Sequence, residues 1–510
     1  MDFLTIGMGV AVLLLIWDCV EVGRNDAANL INAAFGARVL QRRTAIWLSG
    51  IAVVLGAAMA SPVMETARSG IFDPGLLTVE KAVAVYVSVY IVDTLLLYGY
   101  SAFGMPVSTT ASLIFELVGA SIAVAASIGI VHWDKVWEVL IAIVVSIFLA
   151  GLAGFTFQRI FRAAIRDRSD DPVQVLLHGP WIVGLLLTGL SWFMVTKGLR
   201  SVPGAKVLQG TLEAYGPALS LSIIWGGFTL LIHLILTATR QRGARHLFRV
   251  TTILGMLCMA FAFGQNDLAN CASPGLAAFW LWRHASTGAA AASKVPISIW
   301  ALAGCGLLMA LGMSSRNAQR VTRAAVNTGS QFDHIALYAP GWCRKLAKFL
   351  LRGKSSNRTL APPPQLDASG KRLHFDPLRA SVIMSISASV IAFASSRGLP
   401  VSTTYVAFAA VIATGMADRV MSYGDADLKI GRAIWVVFSW FFSAIIAVVA
   451  AAITATVVVR FSILGLFLML IANFVIRIGL RRWADRHEAR HHEDLSRRLR
   501  LENLPPEPAE

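Results

Sequence analysis

The chain alternates long apolar runs with short polar connectors. Val436 to Val459 passes without an ionisable group, and Ala82 to Gly104 contains only Asp93. Runs of this kind lie near residues 4–22, 44–62, 82–104, 106–128, 136–158, 175–197, 217–239, 250–282, 295–313, 380–396, 399–418, 433–459 and 461–480. As helices rising about 1.5 Å per residue, they match the roughly 30 Å hydrocarbon slab of a bilayer. The pattern predicts an all-α membrane protein. Composition agrees: 56% of the 510 residues are hydrophobic and 15% are charged, against about a quarter charged in a soluble domain.

Charge orients the spans. Basic connectors occur at Arg38, Arg42 and Arg43, and across 159–168, 240–249, 316–379 and 477–500. If the chain starts outside and every run crosses, all of these connectors fall on the cytoplasmic side, following the positive-inside rule. That count holds equally for complete crossings and for paired half-helices that cross jointly. Lys+Arg 45 against Asp+Glu 29 gives a net charge of +16, with twelve Lys/Arg and three Asp in 314–379 alone. The excess therefore reads as membrane topology and implies no nucleic-acid partner. Within it, 343–352 is an amphipathic basic stretch that predicts an interfacial helix on the anionic inner leaflet. Cys19, Cys258, Cys271, Cys305 and Cys343 form no C-x-x-C pair, so neither a disulfide framework nor a zinc site is expected. His487 and His491 have metal-ligand spacing but sit in a charged tail that reads as a solvated helix. Met1-Asp2-Phe3 lacks a basic signal start, so the first run is expected to stay in the protein. The Arg- and Ala-rich composition points to a bacterial inner (cell) membrane.

An internal repeat organises the runs. Gly23-Arg24-Asn25-Asp26-Ala27-Ala28-Asn29 matches Gly264-Gln265-Asn266-Asp267-Leu268-Ala269-Asn270, and Pro106-Val107-Ser108-Thr109-Thr110 matches Pro400-Val401-Ser402-Thr403-Thr404. Both copies keep the same order. Asp26 and Pro106 are 80 residues apart and Asp267 and Pro400 are 133 apart, an excess that fits inside the 314–379 connector. By the crossing count the copies start on opposite sides, which is the inverted repeat of secondary transporters.

The repeated elements carry complementary chemistry. A carboxylate at a membrane helix centre costs about 2.5–3.5 kcal/mol and marks an ion path or a buried partner. Asp267 lies mid-run among Gly264, Asn266, Asn270 and Pro274. Gly and Pro there are expected to break the helix and free carbonyls for a cation, and Asn adds further hard oxygen ligands. Asn-Asp-x-x-Asn thus suits Na⁺ or a proton; a helix-packing polar network is the alternative, which the duplication argues against. In Pro-Val-Ser-Thr-Thr, proline pre-sets a helix start. A helix N-terminus carries about half a positive charge and binds phosphate-like anions. Ordinary Ser/Thr capping is the alternative. Two such ends pointing inward from opposite sides would form an oxyanion site at the midplane.

Together these four elements closely resemble the inorganic phosphate transporter (PiT) family of cation-coupled phosphate symporters. The likeness extends through Met64-Glu65-Thr66-Ala67-Arg68-Ser69-Gly70-Ile71 and the spans after Pro296 and Gly431, covering roughly 5–165 and 250–460. The resemblance implies an inverted-repeat secondary transporter with discontinuous and re-entrant helices, working as a homodimer, with phosphate between the two S-T-T ends. Residues 1–165 would form the first repeat, 166–249 a linking helix pair, 250–460 the second repeat with its 314–379 insertion, and 461–510 an extra span and charged tail. Carried over by position, Asn25, Asp26, Asn29, Asn266, Asp267 and Asn270 would serve the cation, Na⁺ included, with Asp26 and Asp267 also facing the anion. Ser108, Thr109, Thr110, Ser402, Thr403 and Thr404 would hold the phosphate oxygens. No cofactor is implied beyond Na⁺ or H⁺ as the coupling ion.

The family pattern is broken at several points. Asn32-Ala33 stand where Gly-Thr is usual, Ser273 replaces the Gly before Pro274, Val53 stands for a Glu, and Ala111 and Tyr405 replace the His after each S-T-T. Losing both His removes the readiest proton carrier, and losing the Glu removes a cation ligand. Arg24 is also atypical, with Glu21, Asp18 or the anion as its expected partner. The expected function is import of inorganic phosphate coupled to Na⁺ or H⁺ by alternating access. Sulfate or another tetrahedral oxyanion would suit the same helix ends, and a transport-deficient sensor would keep the same fold. An enzyme is not expected, because His132, His178 and His233 are scattered with no nucleophile paired to them.

Overall fold

The computed structural model describes residues 2–60, 70–166, 171–195, 203–283, 298–332, 335, 337–351, 373–396, 401–421 and 425–501. The stretch 64–69, Pro296 and Pro400 lie outside the described residues. The elements are helices: α1 (Phe3–Gly36), α2 (Arg42–Ala58), α3 (Val79–Ala102), α4 (Thr109–Ala125), α5 (Trp133–Ala164), α6 (Pro172–Phe193), α7 (Pro203–Tyr215), α8 (Pro217–Thr239), α9 (Gln241–Asn266) and α10 (Leu268–Arg283). There follow α11 (Ile299–Met313), α12 (Arg316–Thr328), α13 (Gly341–Leu350), α14 (Pro377–Ser396), α15 (Thr403–Ala417) and α16 (Ala426–Leu501). Among the described residues eight helices are long and apolar enough to cross a membrane, counting α9 and α10 together over Gln241–Trp280, or nine if α11 and α12, bent by 69° at their junction, act as one.

Three local features bear on the expected crossings and breaks. First, α4 and α15 hold only 17 and 15 residues, about 25 and 22 Å, so by helical length 106–128 and 399–418 fall short of complete crossings. Ser108 and Ser402 are extended and the helices start after them. Second, α1 continues unbroken through Asn25, Asp26 and Asn29 to Gly36; these polar side chains find partners on other elements, so the helix need not stop. Third, the second copy is interrupted only at Asp267, between α9 and α10. Pro274 lies inside α10, and the Tyr90 hydroxyl of α3 enters the helix beside it. It donates to Cys271 O at 2.6 Å and accepts from Gly275 N at 2.7 Å, replacing the bond those two groups would make with each other in a regular helix. The Cys271 carbonyl, one residue after Asn270, is thus engaged within the protein.

The halves interlock reciprocally. α1 packs on α11 as α9 packs on α2; α1 packs on α3 as α9 packs on α14; α4 packs on α16 as α15 packs on α5. Glycines repeat the correspondence at atomic scale. A Cβ on Gly23 would lie 1.9 Å from Met309 O and one on Gly264 would lie 2.2 Å from Val53 O. Likewise a Cβ on Gly56 would lie 2.1 Å from Phe261 O, and one on Gly312 would lie 2.1 Å from Val20 O. The glycine that opens each G-x-N-D element is therefore a point where two helix backbones touch. Gly23→Ala and Gly264→Ala are each expected to cost near the upper end of the ~1–3 kcal/mol of overpacking. Melting in detergent measures this, and wild-type melting in both variants would contradict the packing.

Ser462, with φ of 50°, interrupts the helical backbone of α16. There the chain turns back, so that Gly465 lies against Val457, and the arms 426–461 and 463–501 match the separate runs 433–459 and 461–480. The second arm is fastened to the first half. Arg477 pairs with Glu21, donates to Thr94 O at 3.0 Å, and lies 4.3 and 4.2 Å from the rings of Trp17 and Tyr98. Asn473 donates to Thr94 Oγ1 at 3.1 Å. On α13, Cys343 and Ala347 are buried while Trp342, Lys345, Leu346, Lys348 and Phe349 are exposed, the amphipathic character expected of 343–352.

Candidate functional site

The structure gathers the two Asn-Asp elements and the two S-T-T elements into one buried cluster, in which no side chain singled out above is more than 3% exposed. In each element the first Asn serves its own half. Asn25 donates to Ser101 Oγ at 3.0 Å and accepts from Val107 N at 3.2 Å. Asn266 donates to Val401 O at 2.9 Å.

The Asp and the second Asn serve the opposite half. Thr404 donates to Asp26 Oδ1 at 2.6 Å and accepts from Asn29 at 3.0 Å. Thr109 donates to Asp267 Oδ1 at 3.0 Å, while Asn270 donates to Thr109 at 3.2 Å and to Thr110 at 2.9 Å. The loops also meet directly. Thr110 Oγ1 donates to Val401 O at 3.4 Å, and Thr404 Oγ1 lies 3.1 Å from Val107 O. The two S-T-T tips are thus in contact.

The serines and threonines divide the work. Ser108 Oγ accepts from Ala111 N at 3.0 Å and Ser402 Oγ from Tyr405 N at 3.2 Å, so both serine hydroxyls cap their helices. The threonines face the carboxyl groups. Among the described residues Asp26 Oδ2 and Asp267 Oδ2 complete no hydrogen bond, and Thr403 faces Asp267 without completing one. The carboxyls of Asp26 and Asp267 lie within electrostatic reach of each other. Buried carboxylate oxygens call for cations or protons, while the first-turn amides of α4 and α15 call for an anion. The arrangement is fitted to hold an oxyanion together with its counter-ions.

The atypical positions have structural roles. Tyr405 stacks on Trp440 with ring centroids 3.7 Å apart, and Trp440 donates to Pro106 O at 3.2 Å, so the residue in place of His braces the loop of the other half. Val53 is buried, with its carbonyl against Gly264. Arg24 makes two 2.7 Å bonds to Glu21. Asp18 is fully buried and faces Asp93. Away from the cluster, His178 accepts from Trp181 at 3.3 Å.

Sequence reading missed Glu116. It accepts from Ser112 at 2.7 Å and lies with Asp93 and Asp18 in a second group of buried carboxyls. The signal was present, since Glu116 is an ionisable residue in an apolar run. It has no second copy, however: Ala410 is its counterpart in the repeat, and Met259 is that of Asp18.

Comparison with known proteins bears on the family and the fold. The sequence model of the phosphate transporter family matches residues 22–327 and 366–451. The chain is 28% identical over 460 residues to the "Putative phosphate permease" of Pyrococcus furiosus, covering 88% of this chain and 95% of that one. It is 25% identical over 420 residues to the protein of the same name in Helicobacter pylori J99, covering 79% and 68%. A solved structure titled "The sodium-dependent phosphate transporter" superposes with a TM-score of 0.63 at 22% identity, covering 90% of this chain and all of that one, which bears on the fold alone. The family match spans most of the sequence and includes all four repeated elements whole, so the chain belongs to the phosphate transporter family.

Proposed function

We propose that the protein imports inorganic phosphate across the inner membrane, coupled to Na⁺ or H⁺, by alternating access. The observation that carries the proposal is the crosswise bonding of Asp26 to Thr404 and of Asp267 to Thr109, which makes each half complete the site of the other. Phosphate would lie between the N-termini of α4 and α15, with cations at the unpaired carboxyl oxygens. Those cations lower the cost of placing a multiply charged anion in the membrane, and the two fluxes become linked. Rocking of 1–165 against 250–460, in the manner of inverted repeats, would open the joint site to one side at a time. The proposal includes a homodimer as the working unit.

Na⁺ is the favoured ion. Ala111 and Tyr405 stand where a titratable His would be, and the solved structural neighbour is titled sodium-dependent. Radiotracer phosphate uptake into proteoliposomes tests the function. Uptake driven by an inward Na⁺ gradient, and persisting in excess sulfate, is expected. Uptake indifferent to both Na⁺ and pH gradients would contradict coupling, and loss of uptake in equimolar sulfate would assign the site to that anion.

A further inference from the structure

A cavity of about 770 Å³ lies outside the candidate site, between the end of α3, helix α12 and the two arms of α16. One flank is apolar, formed by Leu95 and Leu96 of α3 and by Phe438, Phe442, Ile446 and Ile476 of α16. The four α16 residues among these are each 38–48% exposed, so this flank opens sideways, toward lipid once the helices are in a bilayer. The other, basic end carries Arg320, Arg323 and Arg432; Arg320 pairs with both Asp485 and Glu488, and Arg323 reaches Glu488 at 4.0 Å.

Arg432 is the unusual member. It is 3% exposed, yet among the described residues it forms no ion pair. Its two terminal nitrogens donate to backbone carbonyls, Gly104 O at 2.7 Å and Tyr338 O at 3.3 Å, and its Nε is buried without a partner. A buried guanidinium compensated only by carbonyl dipoles is costly unless an anion completes it. The basic end also lies at the level of α13, whose Trp342 packs on Trp435 and Phe438 with ring centroids 6.4 and 4.9 Å away. Its exposed Lys345 and Lys348 beside exposed Leu346 and Phe349 mark an interfacial helix.

We infer that this cavity binds one anionic phospholipid, with its phosphate at the Arg432 end and its acyl chains along the Phe438–Ile446 flank. A free inorganic anion would be matched by the arginines alone and would leave the apolar flank unused; a lipid uses both. The site touches the transport machinery through Gly104, whose φ of 63° makes the turn into the Pro106 loop and whose carbonyl Arg432 holds. Headgroup occupancy would therefore steady the first S-T-T tip.

Native mass spectrometry of the purified full chain, with phosphatidylglycerol or phosphatidylcholine added, tests the inference. One phosphatidylglycerol per chain is expected, retained about tenfold better than phosphatidylcholine, whose choline cation offsets its phosphate charge at the arginine end. Arg432→Gln should abolish that preference. Ile446→Trp, which fills the apolar flank at a half-exposed position and leaves every polar contact in place, should reduce retention of both lipids. Saturating inorganic phosphate should leave lipid retention unchanged. Equal retention of the two lipids by the wild type, or wild-type retention in Ile446→Trp, would overturn the inference. Displacement of the lipid by phosphate would do so as well, by showing a vestibule for the free anion.

Discussion

Asp26→Asn and Asp267→Asn are each expected to abolish gradient-driven phosphate uptake while leaving a folded protein. The amide keeps the shape of the side chain and an oxygen that accepts from Thr404 or Thr109, so the contact between halves survives. What is lost is the negative charge beside the unpaired Oδ2 atoms. Without it no cation is held near the helix ends, and the anion must enter the membrane uncompensated. The loss should reach about a hundredfold, the upper range for removing one charged partner. Stability should change little, because each substitution also removes a buried charge that costs free energy in the empty site. Wild-type uptake in both variants would remove the carboxyls from the mechanism.

The second large effect is expected at Glu21, one turn before Asn25. Its carboxylate is fully buried and is held by Arg24, Arg477 and the Trp17 indole. Glu21→Gln leaves Arg477, itself buried, without its counter-charge, a change that typically costs about 3–5 kcal/mol. Adding Arg477→Met should restore part of the loss, since an apolar side chain of similar length suits the space between Trp17 and Tyr98. Thermal melting of the two variants in detergent measures both steps. A single variant as stable as wild type, or a double variant less stable than the single, would mean that this pair does not hold the last helix in place.

Periodicity and charge made the helices legible, because a membrane span must be long, apolar and internally hydrogen bonded. Duplication made the site legible. Asn25, Asp26 and Asn29 repeat as Asn266, Asp267 and Asn270, and polar residues kept at matched depths in an apolar setting have few structural reasons to recur. Three things were out of reach. The division between capping Ser108 and Ser402 and the threonines that face Asp depends on helix phase, which the motif does not reveal. The entry of Tyr90 into α10 beside Pro274 joins residues far apart in the chain. The bond between Glu21 and Arg477 spans 456 residues, and no local pattern selects that partner; it gives the extra C-terminal arm a structural purpose. Glu116, by contrast, is readable as an ionisable residue in an apolar run, but it has no duplicate to mark it.

The central claim is that one phosphate is held by both S-T-T tips together. Equilibrium binding of radiolabelled phosphate to the purified protein in saturating Na⁺ tests it most directly, in the wild type, in Thr109→Val and in Thr404→Val. One site per chain is expected, weakened by substitution on either tip. Two independent sites per chain, or binding that survives unchanged when either tip is altered, would contradict the account.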